Sequence, residues 1–219
     1  VFAEADRTSP AEILPLWNIP EEKRALLGPL QDHDALFAQA LLNAPAVTGM
    51  VLTNNGAKMP SHHAGFVYAG SDPAPYLTSF LGAVTNIEQI EQAGKGNGAL
   101  NNKPDFDGIV RRIPLLFNAN GTLYPSLAAE ALRVGQGASS YIVKTVGASG
   151  ELGAGKARTG ITDVKIGAFE IPTDAKGRFW VYFTETRPER YIPAWRILDG
   201  SADANRINGH IVLLGTTAA

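Results

Sequence analysis

The sequence predicts a single mixed α/β domain in which a central mixed sheet is flanked by helices. Continuous apolar runs at residues 46–53 and 211–214 indicate central strands that are buried on both faces. Apolar side chains at helical spacing between such runs indicate helices that cover the sheet. Residues 164–171 and 179–184 flank a turn at 174–177, which predicts an antiparallel hairpin near the C-terminal half.

The first half of the chain supplies the first elements of this fold. Residues 1–5 are expected to form a strand beside one of the central strands. Asp32 is the expected N-cap of a helix that ends before Pro45, because proline has no N–H with which to continue a helix. Residues 66–69 follow strand 46–53 as a further short strand.

Two more helices are predicted downstream. Thr85 and Glu88 match a capping box, and the helix that they open is expected to end at Gly94. Residues 108–117 are predicted to form a strand, and Pro125 suits the first position of the next helix. The apolar face of that helix is expected to consist of Leu127, Ala128, Ala131, Leu132 and Val134.

Composition excludes several functional classes. The 19 Lys and Arg residues against 21 Asp and Glu give a net charge of -2, whereas a dedicated nucleic-acid binder usually carries a basic excess. The absence of Cys excludes disulfides, thiolate nucleophiles and Cys-ligated metals. No apolar stretch reaches the roughly 18 residues of a membrane span. The chain is expected to be clipped at both ends from a longer protein.

Motifs for catalysis or cofactor binding are missing from the sequence. There is no G-x-S-x-G elbow and no G-x-x-x-x-G-K-[ST] phosphate loop. His62 and His63 are adjacent in a polar loop, where two neighbouring side chains rarely converge on one ion. The sequence therefore predicts no catalytic residue, no metal site and no cofactor.

The densest polar motif is Asp105-Phe106-Asp107-Gly108-Ile109-Val110-Arg111-Arg112. Consecutive residues of a strand point to opposite faces, so one arginine is expected to be paired and partly buried and the other to be more exposed. Glu4 and Asp6 are the expected carboxylate partners, because an unpaired buried charge is costly. Two interpretations stay open: an ion pair that fixes the motif, or an arginine that grips an anionic ligand.

Two hydroxyl side chains follow the predicted final strand. In an open α/β sheet this position borders the crevice in which ligands bind, although a tight packing turn explains the same residues. The candidate ligand-binding residues of the chain are Glu4, Asp6, Arg111, Arg112, Thr216 and Thr217.

Four motifs occur in a characteristic order along the chain. They are the N-terminal Val-Phe-Ala-Glu-Ala-Asp-Arg, the run Asp107-Gly108-x-x-Arg111-Arg112-x-Pro114-Leu115, the run Leu123-Tyr124-Pro125-Ser126-Leu127, and the final Ile-Val-Leu-Leu-Gly-Thr-Thr-Ala. This set resembles the type 2 CHASE domain, the cyclase- and histidine-kinase-associated sensory extracellular domain. The resemblance extends over nearly all of residues 1–219.

The resemblance implies an extracytoplasmic input domain, periplasmic or extracellular, of a bacterial inner-membrane receptor. In that family, membrane helices outside this chain connect the domain to an adenylate or guanylate cyclase, a histidine kinase or a similar output. It implies no established ligand and no catalytic residues. Three functions stay open: a sensor that binds an unknown small molecule and acts as a homodimer, a ligand-free dimerisation or protein-interaction module, and an envelope hydrolase.

Overall fold

A computed structural model describes residues 1–55, 58–147 and 159–215 of the chain. The chain divides into two compact units, Val1–Trp180 and Val181–Ala219. In the described ranges, no helix combines the length and the apolarity that crossing a membrane requires.

Five α-helices lie in the described part of the first unit. They are α1 (Pro10–Ile13), α2 (Glu21–Arg24), α3 (His33–Leu42), α4 (Glu88–Ala93) and α5 (Leu127–Gly135), with 3-10 turns at Leu14–Leu16, Ala25–Leu27 and Ala74–Tyr76.

The helix caps decide where these helices start. Asp32 caps α3 as predicted, since its side chain accepts hydrogen bonds from the N–H groups of the first turn. The predicted capping box at α4 is wrong, because Ile87 occupies the cap position without a side-chain bond. Pro125 ends a strand, and the hydroxyl of Ser126 caps α5 instead.

Residues 1–55, 58–147 and 159–180 of this unit also contain twelve strands. They are β1 (Val47–Thr53), β2 (Gly65–Ala69), β3 (Ser79–Phe80), β4 (Gly82–Val84), β5 (Gly96–Ala99), β6 (Arg112–Pro114), β7 (Leu116–Ala119), β8 (Thr122–Pro125), β9 (Ser140–Thr145), β10 (Ile161–Ile166), β11 (Phe169–Pro172) and β12 (Arg178–Trp180).

These strands form four small sheets. Their orders are β4-β1-β5, β11-β10-β9-β2, β12-β6 and β3-β7-β8. The first, second and fourth sheets are mixed. Strand β1 pairs antiparallel with β4 and parallel with β5. Strand β9 pairs parallel with β2 and antiparallel with β10, and β7 pairs parallel with β3 and antiparallel with β8. The predicted mixed α/β class is therefore confirmed, and residues 46–53 do supply a central strand.

Among the residues that the structure describes, two apolar clusters form the core of the first unit. One joins β9 and β10 to α5 through Tyr141, Val143, Val164 and Ala129. The other surrounds β1 and includes Met50, Leu52, Ala99, Phe117 and Tyr124.

Helix α5 packs unusually close to β5. A Cβ atom added at Gly98 would overlap the backbone of Leu127, and one added at Gly96 would overlap the carboxylate of Glu130. Glycine at these two strand positions therefore lets the helix lie directly on the strand.

The predicted antiparallel hairpin near the C-terminal half is present, but its strands differ from the expected ones. Strands β10 and β11 form it around Gly167, whose φ of 56° suits a tight turn. The expected turn at residues 174–177 instead connects β11 to β12, which pairs antiparallel with β6 of the distant Arg motif.

Two further strand predictions are wrong. Residues 1–5 form no strand, because Phe2 bonds through its N–H to Asn86 Oδ1 and through its carbonyl to Ile87 N. Residues 211–214 also form no strand, and their side chains are 55–85% exposed. An apolar run meets the side-chain requirement of a buried strand, but a strand also needs neighbours for its N–H and C=O groups. The strands that do pair with β1 are β4, along residues 51–53, and β5, along residues 47–50.

The second unit is described up to residue 215. It contains α6 (Ala194–Leu198) and two 3-10 turns at Pro188–Arg190 and Ala204–Arg206. Its described side chains are exposed or half-buried, including the large apolar ones of Tyr182, Tyr191 and Trp195.

Candidate functional site

The arginine motif lies at the sheet of β6 and β12. Arg112 is the first residue of β6 and Arg178 the first of β12, and the antiparallel register places Trp180 opposite Arg112. The turn before β6 contributes Asp105 and Asp107, and the turn before β12 contributes Asp174. We call Asp105, Asp107, Arg111, Arg112, Asp174 and Arg178 the Asp–Arg cluster.

Arg112 is the more enclosed arginine of the motif. Its Nη2 donates to Asp105 Oδ1 at 2.8 Å, and its Nη1 lies 3.4 Å from Asp174 Oδ2. Its guanidinium also lies 5.1 Å from the centre of the Trp180 ring, within the range of a cation–π contact. Its side chain is 26% exposed, against 39% for Arg111.

Arg111 forms a bidentate ion pair with one carboxylate. Its Nη1 and Nη2 donate to the two oxygens of Asp107 at 2.9 and 2.7 Å, and its Nη1 lies 3.5 Å from Asp105. These hydrogen bonds hold the pKa of Asp107 at about 2, below its ordinary value of 3.8. Hydrogen bonding from Arg112 likewise lowers the pKa of Asp105.

The third pair of the cluster closes the turn before β12. Arg178 donates from Nε to Asp174 Oδ2 at 2.8 Å, and Asp174 also accepts from the backbone N–H groups of Lys176 and Arg178. Burial alone would raise the pKa of Asp174, but these bonds outweigh it and lower the pKa.

The predicted opposite orientation of the two arginines is not what the structure shows. Both reach Asp105, because Arg111 precedes β6 and the alternation of a strand does not apply to it. Gly108, with a φ of 81°, lets the preceding chain turn back toward the arginines.

The expected partners Glu4 and Asp6 are engaged elsewhere. Glu4 pairs with Arg7 at 2.6 Å in an exposed position. Asp6 accepts from both donors of Thr8 and lies 3.0 Å from His33 Nδ1, contacts that lower its pKa, the Thr8 bonds most. The true partners of the arginine pair lie within seven residues of it or in the turn before β12, so the aspartates of the motif itself were the signal in the sequence. Thr216 and Thr217 lie outside the described residues.

The Asp–Arg cluster is balanced in charge, with three carboxylates and three guanidinium groups. Each carboxylate is bound to at least one arginine, so none is available as a base or as a metal ligand without breaking an ion pair. Across the described residues, no group of three or more His, Asp or Glu side chains is arranged to hold a metal ion. The cluster fixes the turn at 105–111 against the β6–β12 sheet.

A second polar group, deeper in the unit, was missed by the sequence reasoning. Arg133 of α5 binds Glu130 through Nε at 2.9 Å and through Nη2 at 2.7 Å, and Tyr141 of β9 donates to Glu130 Oε2 at 2.6 Å. All three side chains are buried. Burial and the neighbouring Glu130 carboxylate raise the pKa of the Tyr141 phenol, and the bond to Glu130 raises that of Arg133.

This buried triad changes the face that α5 presents to the core. The structure buries Ala129, Glu130 and Arg133, whereas the apolar pattern placed Ala128 and Ala131 there. The signal in the sequence was a Glu and an Arg three residues apart in an otherwise apolar helix, a spacing that lets the two side chains pair.

Comparison with known proteins gives one result that covers the whole chain. The family model described as "CHASE2 domain" matches residues 1–219, so one family module extends over both units. Comparisons with curated proteins and with solved structures found no match. The chain therefore belongs to the CHASE2 family, the sensory extracellular domains of signalling receptors.

Proposed function

We propose that this chain is the extracytoplasmic input domain of a bacterial inner-membrane receptor and that it binds a small extracellular signal. The observation that carries the proposal is the family match over residues 1–219. The receptor's output is an adenylate or guanylate cyclase, a histidine kinase or a similar enzyme, reached through membrane helices outside this chain. The input domain itself has no catalytic role.

The domain acts as a homodimer with two conformational states. A signal shifts the balance between them only if it binds one state better than the other. A two-fold interface is the commonest symmetry of such pairs. Arg111 and Arg112 remain candidate contacts for an anionic group of a signal, which would have to replace Asp107 on Arg111. Glu4, Asp6, Thr216 and Thr217 remain candidate contacts for other groups of a ligand.

The polar contacts of the described residues favour a sensor over an envelope hydrolase. His33 Nδ1 lies 3.0 Å from Asp6, which is the base–orienter half of a catalytic triad. In the described ranges, however, no hydroxyl is hydrogen-bonded to the other nitrogen of His33, and the hydroxyl of Ser9 accepts from the His33 backbone N–H instead.

Thermal unfolding of the purified chain in the presence of small molecules from the bacterial envelope tests this proposal. A true signal at about 100 times its dissociation constant adds about 2.7 kcal/mol to the stability of the domain. A ligand-free dimerisation module instead shows a midpoint that rises with protein concentration and ignores every compound. A midpoint that responds to neither would overturn both forms of the proposal.

A further inference from the structure

A groove of about 480 Å³ lies in the first unit, away from the Asp–Arg cluster. It lies where the C-terminal ends of α3 and α5 approach the start of β5. Leu42, Pro45, Val134 and Ala138 supply apolar walls, and Lys95 and Arg133 supply the charged groups. The volume of this open groove lies within the range of small-molecule sites, roughly 300–1,000 Å³, and its walls are mostly apolar with a few polar groups.

Arg133 holds the backbone on two sides of this groove by hydrogen bonds. Its Nη2 donates to the carbonyl of Lys95 at 3.0 Å and its Nη1 to the carbonyl of Ala138 at 2.7 Å. The N–H of Lys95 is held in turn by the carbonyl of Ala46, and that of Ala138 by the carbonyl of Arg133. Since Glu130 fixes the guanidinium from behind, the backbone around the groove is set before any ligand arrives.

The groove carries uncompensated positive charge. Among the described residues that line it, none is acidic. The side chain of Lys95 is exposed, and in the described part of the chain it forms no ion pair. Arg133 uses four of its five N–H groups on protein acceptors, so within the described residues one hydrogen of Nη1 has no acceptor.

The two helix ends work against a negative ligand, because a helix C-terminus carries partial negative charge. Several of the last carbonyls are already bound within the protein, which weakens this opposition. Leu41 accepts from Ala44, Leu132 from Gln136, and Val134 from Gly137. The full charge of Lys95 is then the dominant unpaired charge at the rim.

We propose that this groove is the signal-binding site of the domain and takes a small organic carboxylate with a short apolar chain. The carboxylate binds the Lys95 ammonium and the free N–H of Arg133, and the apolar chain lies along Leu42, Pro45 and Val134. This inference rests on the proposed sensory function and adds a place and a ligand class to it.

Titration of the whole chain with three four-carbon probes tests the proposal by calorimetry and by amide chemical shifts. Sodium butyrate carries the carboxylate, butyramide is its neutral counterpart, and butylammonium is the cation that the helix ends would prefer. We expect butyrate to bind and to shift amide signals at Ala44, Gly137 and Ala138, and the other two probes to bind at least about fivefold more weakly.

Three variants locate the binding. Lys95→Gln removes the free cation, and Leu42→Glu places a carboxylate on the exposed wall, so each weakens butyrate about fivefold or more. Lys103→Gln removes an exposed lysine outside the groove and leaves butyrate binding unchanged. Circular dichroism confirms that all three variants fold.

The outcomes separate this proposal from the proposed function. The groove proposal is overturned if butyrate does not bind, if butyramide or butylammonium binds as well as butyrate, or if Lys95→Gln and Lys103→Gln behave alike. A receptor that still answers another extracytoplasmic stimulus under those results keeps its sensory function and loses only this ligand class. A receptor whose output ignores every change to residues 1–219 loses both.

Discussion

The substitution Arg133→Met removes the guanidinium that neutralises Glu130 and leaves the rest of α5 unchanged. The side chains of Arg133 and Glu130 are 7% and 1% exposed, so water cannot replace the lost partner. Breaking a buried pair in this way costs about 3–5 kcal/mol. Domains of this size are stable by about 5–15 kcal/mol, so the loss is a large fraction of the total.

The chain contains a matched control for this prediction. Arg7 and Glu4 are also three residues apart and are bonded at 2.6 Å, against 2.7 Å for Arg133 and Glu130. The control pair is 83% and 75% exposed, however, and exposed pairs contribute less than about 1 kcal/mol. Arg7→Met is therefore expected to be nearly neutral.

Urea unfolding of the two variants, followed by circular dichroism, gives both free energies. The double variant Arg133→Met with Glu130→Leu removes the stranded carboxylate and is expected to recover part of the loss, because no buried charge remains unpaired. Equal losses for Arg133→Met and Arg7→Met would refute the argument that burial decides the strength of these pairs.

Three further predictions concern other parts of the first unit. Arg112→Ala is expected to lower the urea midpoint more than Arg111→Ala. Each arginine contacts two carboxylates, but Arg112 is more enclosed and also loses the contact with Trp180. The reverse order would contradict the geometry of the cluster. The stability that Asp107 adds through its depressed pKa is complete above pH 3.8 and is lost as the pH falls to about 2. In urea unfolding, the difference in stability between wild type and Asp107→Asn is therefore expected to shrink over that range. A constant difference would argue against the ion pair. Gly98→Ala forces a Cβ into the backbone of α5 and is expected to cost about 2 kcal/mol or more of stability in thermal unfolding. Gly108→Ala has open space around the added Cβ but a positive φ, and it is expected to cost about 1 kcal/mol. Similar values for the two variants would show that α5 shifts to accommodate the added Cβ at little cost.

Local sequence patterns correctly predicted the elements that are specified by a few neighbouring residues. Asp32 marks the start of α3 because the cap bonds the first helical turn. Strand β1 was visible as an apolar run. The turn between β7 and β8 is also local, because Asn120 and Gly121 both have positive φ there and both residue types tolerate it.

Strand pairing over long distances was beyond these rules. Strand β12 is bounded by the expected turn, yet it pairs with β6, more than 60 residues earlier, as the register of Trp180 with Arg112 shows. Residues 211–214 have the composition of a buried strand but no strand conformation. Composition reports what a segment can bury, and the neighbours available in the fold decide whether it is buried.

At the candidate site, too, the sequence predicted local features but not the contacts between distant segments. The sequence identified Arg111 and Arg112 as a charged pair that needs carboxylates, which follows from the cost of an unpaired charge. It named the distant Glu4 and Asp6 as candidate partners, whereas the arginines bind aspartates of their own motif and of the turn before β12. The groove at Lys95 depends on three elements that are remote in sequence, so no local pattern predicts it.

The most direct test of the sensory role exchanges residues 1–219 in the full-length receptor for the corresponding domain of another CHASE2 receptor. The measurement is the output activity in membranes while the extracytoplasmic medium is varied. The account predicts that the stimulus to which the receptor responds follows the exchanged domain and that the type of output does not change. A receptor that keeps its original stimulus after the exchange would contradict the assignment of this domain as the sensor.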